Sequence, residues 1–424
     1  MPLERFSIGV GDRFGREGQA QLRALETARR MGTRITPVWN KSQREHALTG
    51  TTPQETRRRA DRAVRAGGWP DAYYVDADHI RMLTVDDYIG PCDFFTIDIA
   101  DLIGRPPAAE SASVFLKAVS GLVGPQRLPG LKTPLEITET LIADVTLKYL
   151  GAVEEAGRVY RHIVKKKDPA DIVIEVSLDE ADAPQTPGEL LLILAALGRQ
   201  GVPVRTVAPK FSGAFLKGVD YVGDPGEFGL ELEADLAILD FARPAFGLPS
   251  DLKLSVHSGS DKFSLYPIMH RALGDREAGL HLKTAGTTWL EEVAGLAASG
   301  GDGLRVAREL YTAAVARFDE LARPYRAVID IDRDALPAAR EVAAWSGADF
   351  VAALEHDPTC PAFNPNLRQL LHIAFRIAAE MGDRFTDLLD REREPIEARV
   401  TDNLLRRHVG PLFLGGPVRT GAAG

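Results

Sequence analysis

The chain has 424 residues, 45% hydrophobic and 26% charged, the make-up of a globular protein with a large core. A net charge of −9 argues against nucleic acid as the main partner, and no apolar run approaches the ~20 residues that a membrane span requires. The opening residues lack a basic stretch followed by an apolar one, and Cys92 and Cys360 form neither a metal spacing nor a disulfide framework, so a cytoplasmic location is expected.

Short apolar, β-branched runs alternate with amphipathic ones over the first 300 residues. The predicted strands are Phe6–Val10, Ile35–Trp39, Ala72–Val75, Phe94–Ile97, Ile172–Val176, Val204–Ala208, Leu252–Val256 and Gly279–Leu282. Helical spacing of Ala20, Leu22, Leu25 and Ala28 fills the first gap. Pro187 and Gly201 bracket a helix in a later one. Eight strands alternating with helices predict a (β/α)₈ TIM-type barrel. An open doubly wound sheet is the alternative, but no Gly-rich phosphate fingerprint follows the first strand. Residues from about 104 to 168 read as a helical insertion. The division expected is a barrel over residues 1–300 and a helical C-terminal extension over 301–424, running into a Gly-rich tail.

The predicted strands end alike. After them come Gly11-Asp12-Arg13, Asn40-Lys41, Asp76-Ala-Asp78-His79, Asp98 with Asp101, Glu175 with Asp179 and Glu180, Pro209-Lys210, His257-Ser258-Gly-Ser-Asp261-Lys262, and His281-Leu-Lys283-Thr284. Charged groups at the ends of buried strands pack poorly. A ring of them suits a site at the C-terminal mouth of a parallel barrel. Any one alone reads more readily as a structural residue.

Within the ring, Glu175, His257 and His281 could converge on a divalent cation; imidazole and carboxylate suit zinc, nickel, manganese or iron. His79 is the alternative ligand. Asp78, His79, Asp179 and Lys283 are the candidates for proton transfer. Lys210, Ser258, Asp261, Lys262 and Thr284 could contact substrate at the mouth. From the extension, His356 and Arg368, the latter sharing a helix face with His372, could reach over it.

Long stretches of the chain resemble one family. Gly11-Asp-Arg-Phe14, Pro37-Val-Trp-Asn-Lys-Ser42, Val75-Asp-Ala-Asp-His79, Ala208-Pro-Lys-Phe211, Lys217-Gly-Val-Asp-Tyr-Val-Gly-Asp224, Val256-His-Ser-Gly-Ser-Asp-Lys-Phe263, the run from His281 to Glu291 and Asn364-Pro-Asn-Leu-Arg-Gln-Leu-Leu-His372 are similar to tagaturonate epimerases of hexuronate catabolism. The resemblance implies a metal-dependent interconversion of D-tagaturonate and D-fructuronate. With the ketone at C2 and the carboxylate at C6, these sugars differ at C4, which neither group activates. Retro-aldol cleavage of C3–C4 followed by re-addition is therefore expected, assisted by a cation acting as a Lewis acid. Transient oxidation at C4 is the other route, but no nicotinamide fingerprint is present, and none is expected to bind. A metal-dependent aldolase and a non-catalytic sugar-acid-binding protein are the alternatives. The implied partner is a small-molecule sugar acid, and a homo-oligomer is allowed.

Overall fold

In the computed structural model, which describes residues 3–284 and 286–418, eight parallel strands close into a barrel. They are β1 (Phe6–Val10), β2 (Ile35–Asn40), β3 (Tyr74–Ile80), β4 (Phe94–Asp98), β5 (Val173–Ser177), β6 (Val204–Ala208), β7 (Lys253–His257) and β8 (Leu280–Lys283). Each pairs with its neighbour in sequence, and β8 pairs with β1 through Phe6–Leu280 to Gly9–Lys283. The (β/α)₈ expectation holds, and the open sheet is excluded. The strands are buried on both faces, which explains their near-continuous apolar sequences.

Local chemistry sets the helix starts. Thr52–Glu55 and Thr186–Glu189 form capping boxes, each with a proline in the first turn, ahead of the helices Pro53–Gly67 and Pro187–Arg199. The insertion between β4 and β5 contains the helices Ala109–Val119 and Glu139–Ile163. It also carries an antiparallel pair, Gly124–Gln126 with Leu135–Ile137, which a reading as helix alone missed. Two of that pair's residues are glycine and proline, so its sequence shows no alternation to detect.

β3 is longer than predicted and takes Asp76, Asp78 and His79 into the sheet. Its register against β4 shifts between Ala77 and Ile80, and His79 adopts φ +53° within that shift. A residue other than glycine seldom takes this conformation, and a bulge of this kind re-aims a side chain.

The helix Gly286–Ser299 that follows β8 packs into a second apolar core with the helices Gly301–Ala316, Gly347–Leu354 and Pro365–Ile373. Trp289 is fully buried in this core and donates to Leu371 O at 2.7 Å. The chain then returns, and the segment Asn403–Leu414 packs between the helices Gly18–Arg30 and Tyr266–Asp275. Its Leu404, Val409 and Phe413 join the barrel core, and Phe413 meets the Phe6 ring at 5.0 Å. Residues 419–424 of the Gly-rich tail lie outside the described residues. Among those described, no helix is long and apolar enough to cross a membrane.

Candidate active site

Inside the barrel the side chains lie in layers. Val38, Tyr74, Phe94 and Val173 form an apolar layer with Leu3. Above them the lumen becomes polar, where a barrel of this kind is commonly filled by branched apolar side chains. Glu175 is fully buried and accepts from Thr206 Oγ1 (2.7 Å) and Thr96 Oγ1 (3.1 Å). Lys283 Nζ stands 2.7 Å from Asp76, 2.9 Å from Asp78 and 3.1 Å from Glu175. Three carboxylates around one ammonium satisfy charges that burial alone would expel. Burial works against the charged Lys283, but Asp76, Asp78 and Glu175 hold its pKa well above the ordinary lysine value. Burial raises Asp76 to about 7 despite Lys283, whereas Asp78, also buried, is brought down to about 2 by Lys283 and the neighbouring histidines.

The rim of this polar floor carries a second cluster. His257 Nε2 lies 2.9 Å from Glu175 Oε1, and its Nδ1 lies 3.0 Å from Asp179 Oδ2. Burial would depress His257, but the two carboxylates raise it to about 10. The same pairing outweighs burial at Asp179 and holds it below the usual carboxylate range. His79 meets His257 edge to face, with ring centroids 5.2 Å apart, and its buried Nδ1 has no partner. Ligand atoms of His79, Asp179 and His257 all lie within 4.8 Å of one another. Two imidazoles, one of them with the orphaned ring nitrogen, and a carboxylate make a donor set that fits a divalent cation, whose binding would displace the proton that the carboxylates hold on His257. Glu175 stands behind His257, where its contact with Nε2 leaves Nδ1 facing Asp179, an outer-sphere arrangement.

The expected ligand set is thus regrouped. Among the described residues, the cluster able to hold one ion contains His257 but neither Glu175 nor His281. His281 lies one layer down, with Nδ1 2.9 Å from Ser7 Oγ and its ring 5.2 Å from Phe94. Its surroundings bring it down to about 3, burial being the main cause.

The residues expected to touch substrate are dispersed. Lys210 donates its amino group to Ala181 O and its N–H to Gln185. Ser258 Oγ donates to Lys283 O at 2.9 Å, and Thr284 is buried at the end of β8. Asp261 is fully buried and receives Arg368 Nη2 (2.7 Å), Thr287 Oγ1 (2.6 Å) and His356 Nδ1 (3.1 Å). Arg368 also donates to Gly218 O and Leu354 O, both at 2.6 Å, and is itself buried. Lys262 donates to Leu216 O, Val219 O, Ser260 Oγ and Asp261 O. These groups tie the extension to the loops after β6 and β7.

The sequence placed Asp76 in the ring of strand-end polar groups without a role of its own, and gave no sign of Thr96 or Thr206 as members of the floor. For Asp76 a signal existed: in an extended strand, residues two apart share a face, so Asp76 accompanies Asp78. Thr96 and Thr206 look like ordinary strand residues, and only register across β4, β5 and β6 brings them to Glu175.

Residues 1–410 match the family model for tagaturonate epimerase (UxaE). The chain is 28% identical over 422 residues to a tagaturonate/fructuronate epimerase of Thermotoga maritima, covering 96% of this chain and 80% of that protein. It is also similar to the native crystal structure of a fructuronate-tagaturonate epimerase from Cohnella laeviribosi, with a TM-score of 0.76 and 26% identity over 97% of this chain and 82% of that one. A glycerol complex of the Cohnella protein gives a TM-score of 0.78 at 24% identity, covering 97% of this chain and 82% of that one, which supports the fold. A match across nearly the whole chain, on a closed barrel with its polar groups gathered at one mouth, places this protein in the tagaturonate epimerase family.

Proposed function

We propose that the protein interconverts D-tagaturonate and D-fructuronate in the cytoplasm, with the barrel of residues 1–300 carrying the chemistry and the helical extension of 301–424 bracing its mouth. The observation that carries this reading is the convergence of His79, Asp179 and His257 above the Lys283 floor in a member of this family. A divalent cation held by those three residues would supply Lewis acidity to the ketone end of the sugar.

The protein's own groups then have definite work. Inversion at C4 by retro-aldol chemistry needs a base for the C4 hydroxyl and a positive group near the C2 oxygen. Asp78 is ionised and sits at the rim beside His79, so it suits the proton on the C4 hydroxyl. As that proton leaves, the C3–C4 bonding pair moves towards C2, giving an enediolate on C1–C3 and an aldehyde at C4. Lys283 is held charged by three carboxylates and faces the accumulating negative charge. Rotation of the aldehyde fragment presents its other face, and reversal of the same transfers closes the bond with inverted C4.

Metal analysis followed by incubation with D-tagaturonate tests the reading. Fructuronate as product supports it. Accumulated three-carbon fragments point to an aldolase, and unchanged sugar bound to the protein points to a binding protein.

A further inference from the structure

The loop after β6 carries a cation whose main chain is held from several sides while its amino group is left unpaired. Lys262 donates to Leu216 O at 3.0 Å and Val219 O at 2.9 Å, on either side of Lys217. Gly218 N donates to Ser260 Oγ at 2.9 Å, and Gly218 O accepts from Arg368 Nε at 2.6 Å. Lys217 N donates to Val328 O in the extension at 2.8 Å. Two buried cations, both anchored through Asp261 (Lys262 at its carbonyl, Arg368 at its carboxylate), therefore fix this short stretch of backbone. Such expenditure on the loop of one half-buried lysine is uncommon, because each buried charge costs solvation that must be recovered.

The side chain of Lys217 runs back to the mouth. A Cβ added to Gly259 would stand 3.1 Å from Lys217 Nζ, so this glycine leaves the room that the ammonium occupies. Gly259 N is bonded to Lys283 O at 3.1 Å, which makes the turn continuous with the end of β8. Asp179 and Glu180 are near enough to act on the charge of Lys217, as are Arg13 and Arg44. His372 Nε2 is buried without a partner close to the same turn, where a Cβ on Gly286 would crowd both it and Gly259 O.

Four other cations of the mouth are already used. Lys210 goes to Ala181 O, Lys262 to four acceptors, Lys283 to three carboxylates and Arg368 to Asp261 and two carbonyls. Of these five cations Lys217 alone, among the described residues, has no hydrogen-bond or ion-pair partner for its charge. Resting on the reading of this site as that of a keto-hexuronate epimerase, we propose that Lys217 receives the C6 carboxylate of the substrate, and that Asp261, Lys262 and Arg368 form the scaffold that holds it there. The negative charge that separates a uronate from a neutral ketose would then be recognised by a residue outside the Asp261 cluster.

The test uses two unreactive open-chain probes that differ in that charge, D-galactonate and galactitol. Each is titrated calorimetrically into metal-loaded wild-type protein, Lys217→Met and Lys217→Arg. The expected result is a loss of galactonate affinity of roughly 10- to 150-fold in Lys217→Met, the range of a charge-assisted hydrogen bond. Galactitol affinity should stay unchanged, and Lys217→Arg should recover most of the loss. An equal loss for both probes would mark a structural role and overturn the proposal. So would undiminished galactonate binding by Lys217→Met, or absence of galactonate binding by the wild type. If the expected pattern holds but the wild type does not turn over tagaturonate, the carboxylate site stands and the epimerase reading falls.

Discussion

Arg368 Nη2 meets Asp261 Oδ2 at 2.7 Å with both side chains buried, joining the helix Pro365–Ile373 to the loop after β7. Each partner is further bonded, so the pair acts as a rivet between the extension and the barrel. Removing one partner from a buried ion pair strands the other and typically costs about 3–5 kcal/mol. Arg368→Ala should therefore lower unfolding free energy by roughly that amount in denaturant titration. Loss of turnover should follow the loss of folded protein, with a further loss of uronate affinity because Arg368 holds the backbone beside Lys217. A fully stable variant that had lost only uronate affinity would instead return Arg368 to the substrate.

Acid should act through the same rivet. Asp261 is buried, which alone would raise its pKa, but Arg368, His356 and His408 hold it well below the usual carboxylate range. A carboxyl group depressed in the folded state contributes stability above its unfolded pKa of about 3.9 and loses it as pH falls towards the folded value. Asp261→Asn should reduce stability at neutral pH and make it less dependent on pH below about 4, as measured by urea unfolding across that range.

His281 should give a slope at higher pH. Its folded pKa of about 3 lies below the unfolded value of about 6.5. Between these values the unfolded chain takes up a proton that the folded one refuses, so stability falls as pH is lowered. The slope from this group is about 1.4 kcal/mol per pH unit. Unfolding free energies at about pH 4 and pH 6 should differ less in His281→Asn than in the wild type. An unchanged difference would mean that His281 is protonated in the folded protein.

The barrel was legible because its strands are buried on both faces and so read as short apolar runs. The misreading of β3 has a physical cause: Asp76 and Asp78 resemble a strand's exit into solvent, yet Lys283 neutralises them within the sheet. The mouth residues Asp78, His79, Asp179, His257 and Lys283 could be found from the one-sided polarity of the strand ends. The roles of Asp261 and Arg368 could not, since each looks like a substrate-binding group until its partner 107 residues away is known. The same limit concealed the return of Asn403–Leu414 to the barrel, a long-range packing relation with no local pattern.

Removal of Lys283 should be severe in two ways. The three carboxylates it satisfies would be left facing one another, which should lower stability by several kcal/mol unless they take up protons. For the fraction still folded, kcat for tagaturonate in Lys283→Met should fall by about 10²- to 10⁴-fold, the range for a group that assists proton or charge transfer. Retention of wild-type kcat would remove Lys283 from the chemistry.

Metal content should separate the two histidine layers. His79→Ala and His257→Ala should lose a bound divalent cation on dialysis, as read by elemental analysis, because both rings belong to the cluster at the rim. His281→Asn should retain it. Loss of metal in His281→Asn with retention in His79→Ala would restore the deeper set of ligands.

The epimerase activity is tested most directly by following D-tagaturonate by carbon-13 NMR in the presence of metal-loaded wild-type protein and, in parallel, Asp179→Asn. The wild type should convert tagaturonate to a mixture with D-fructuronate, while the variant, lacking the carboxylate of the His79–Asp179–His257 cluster, should leave it unchanged over the same period. No fructuronate from the wild type, or equal conversion by both proteins, would contradict this assignment.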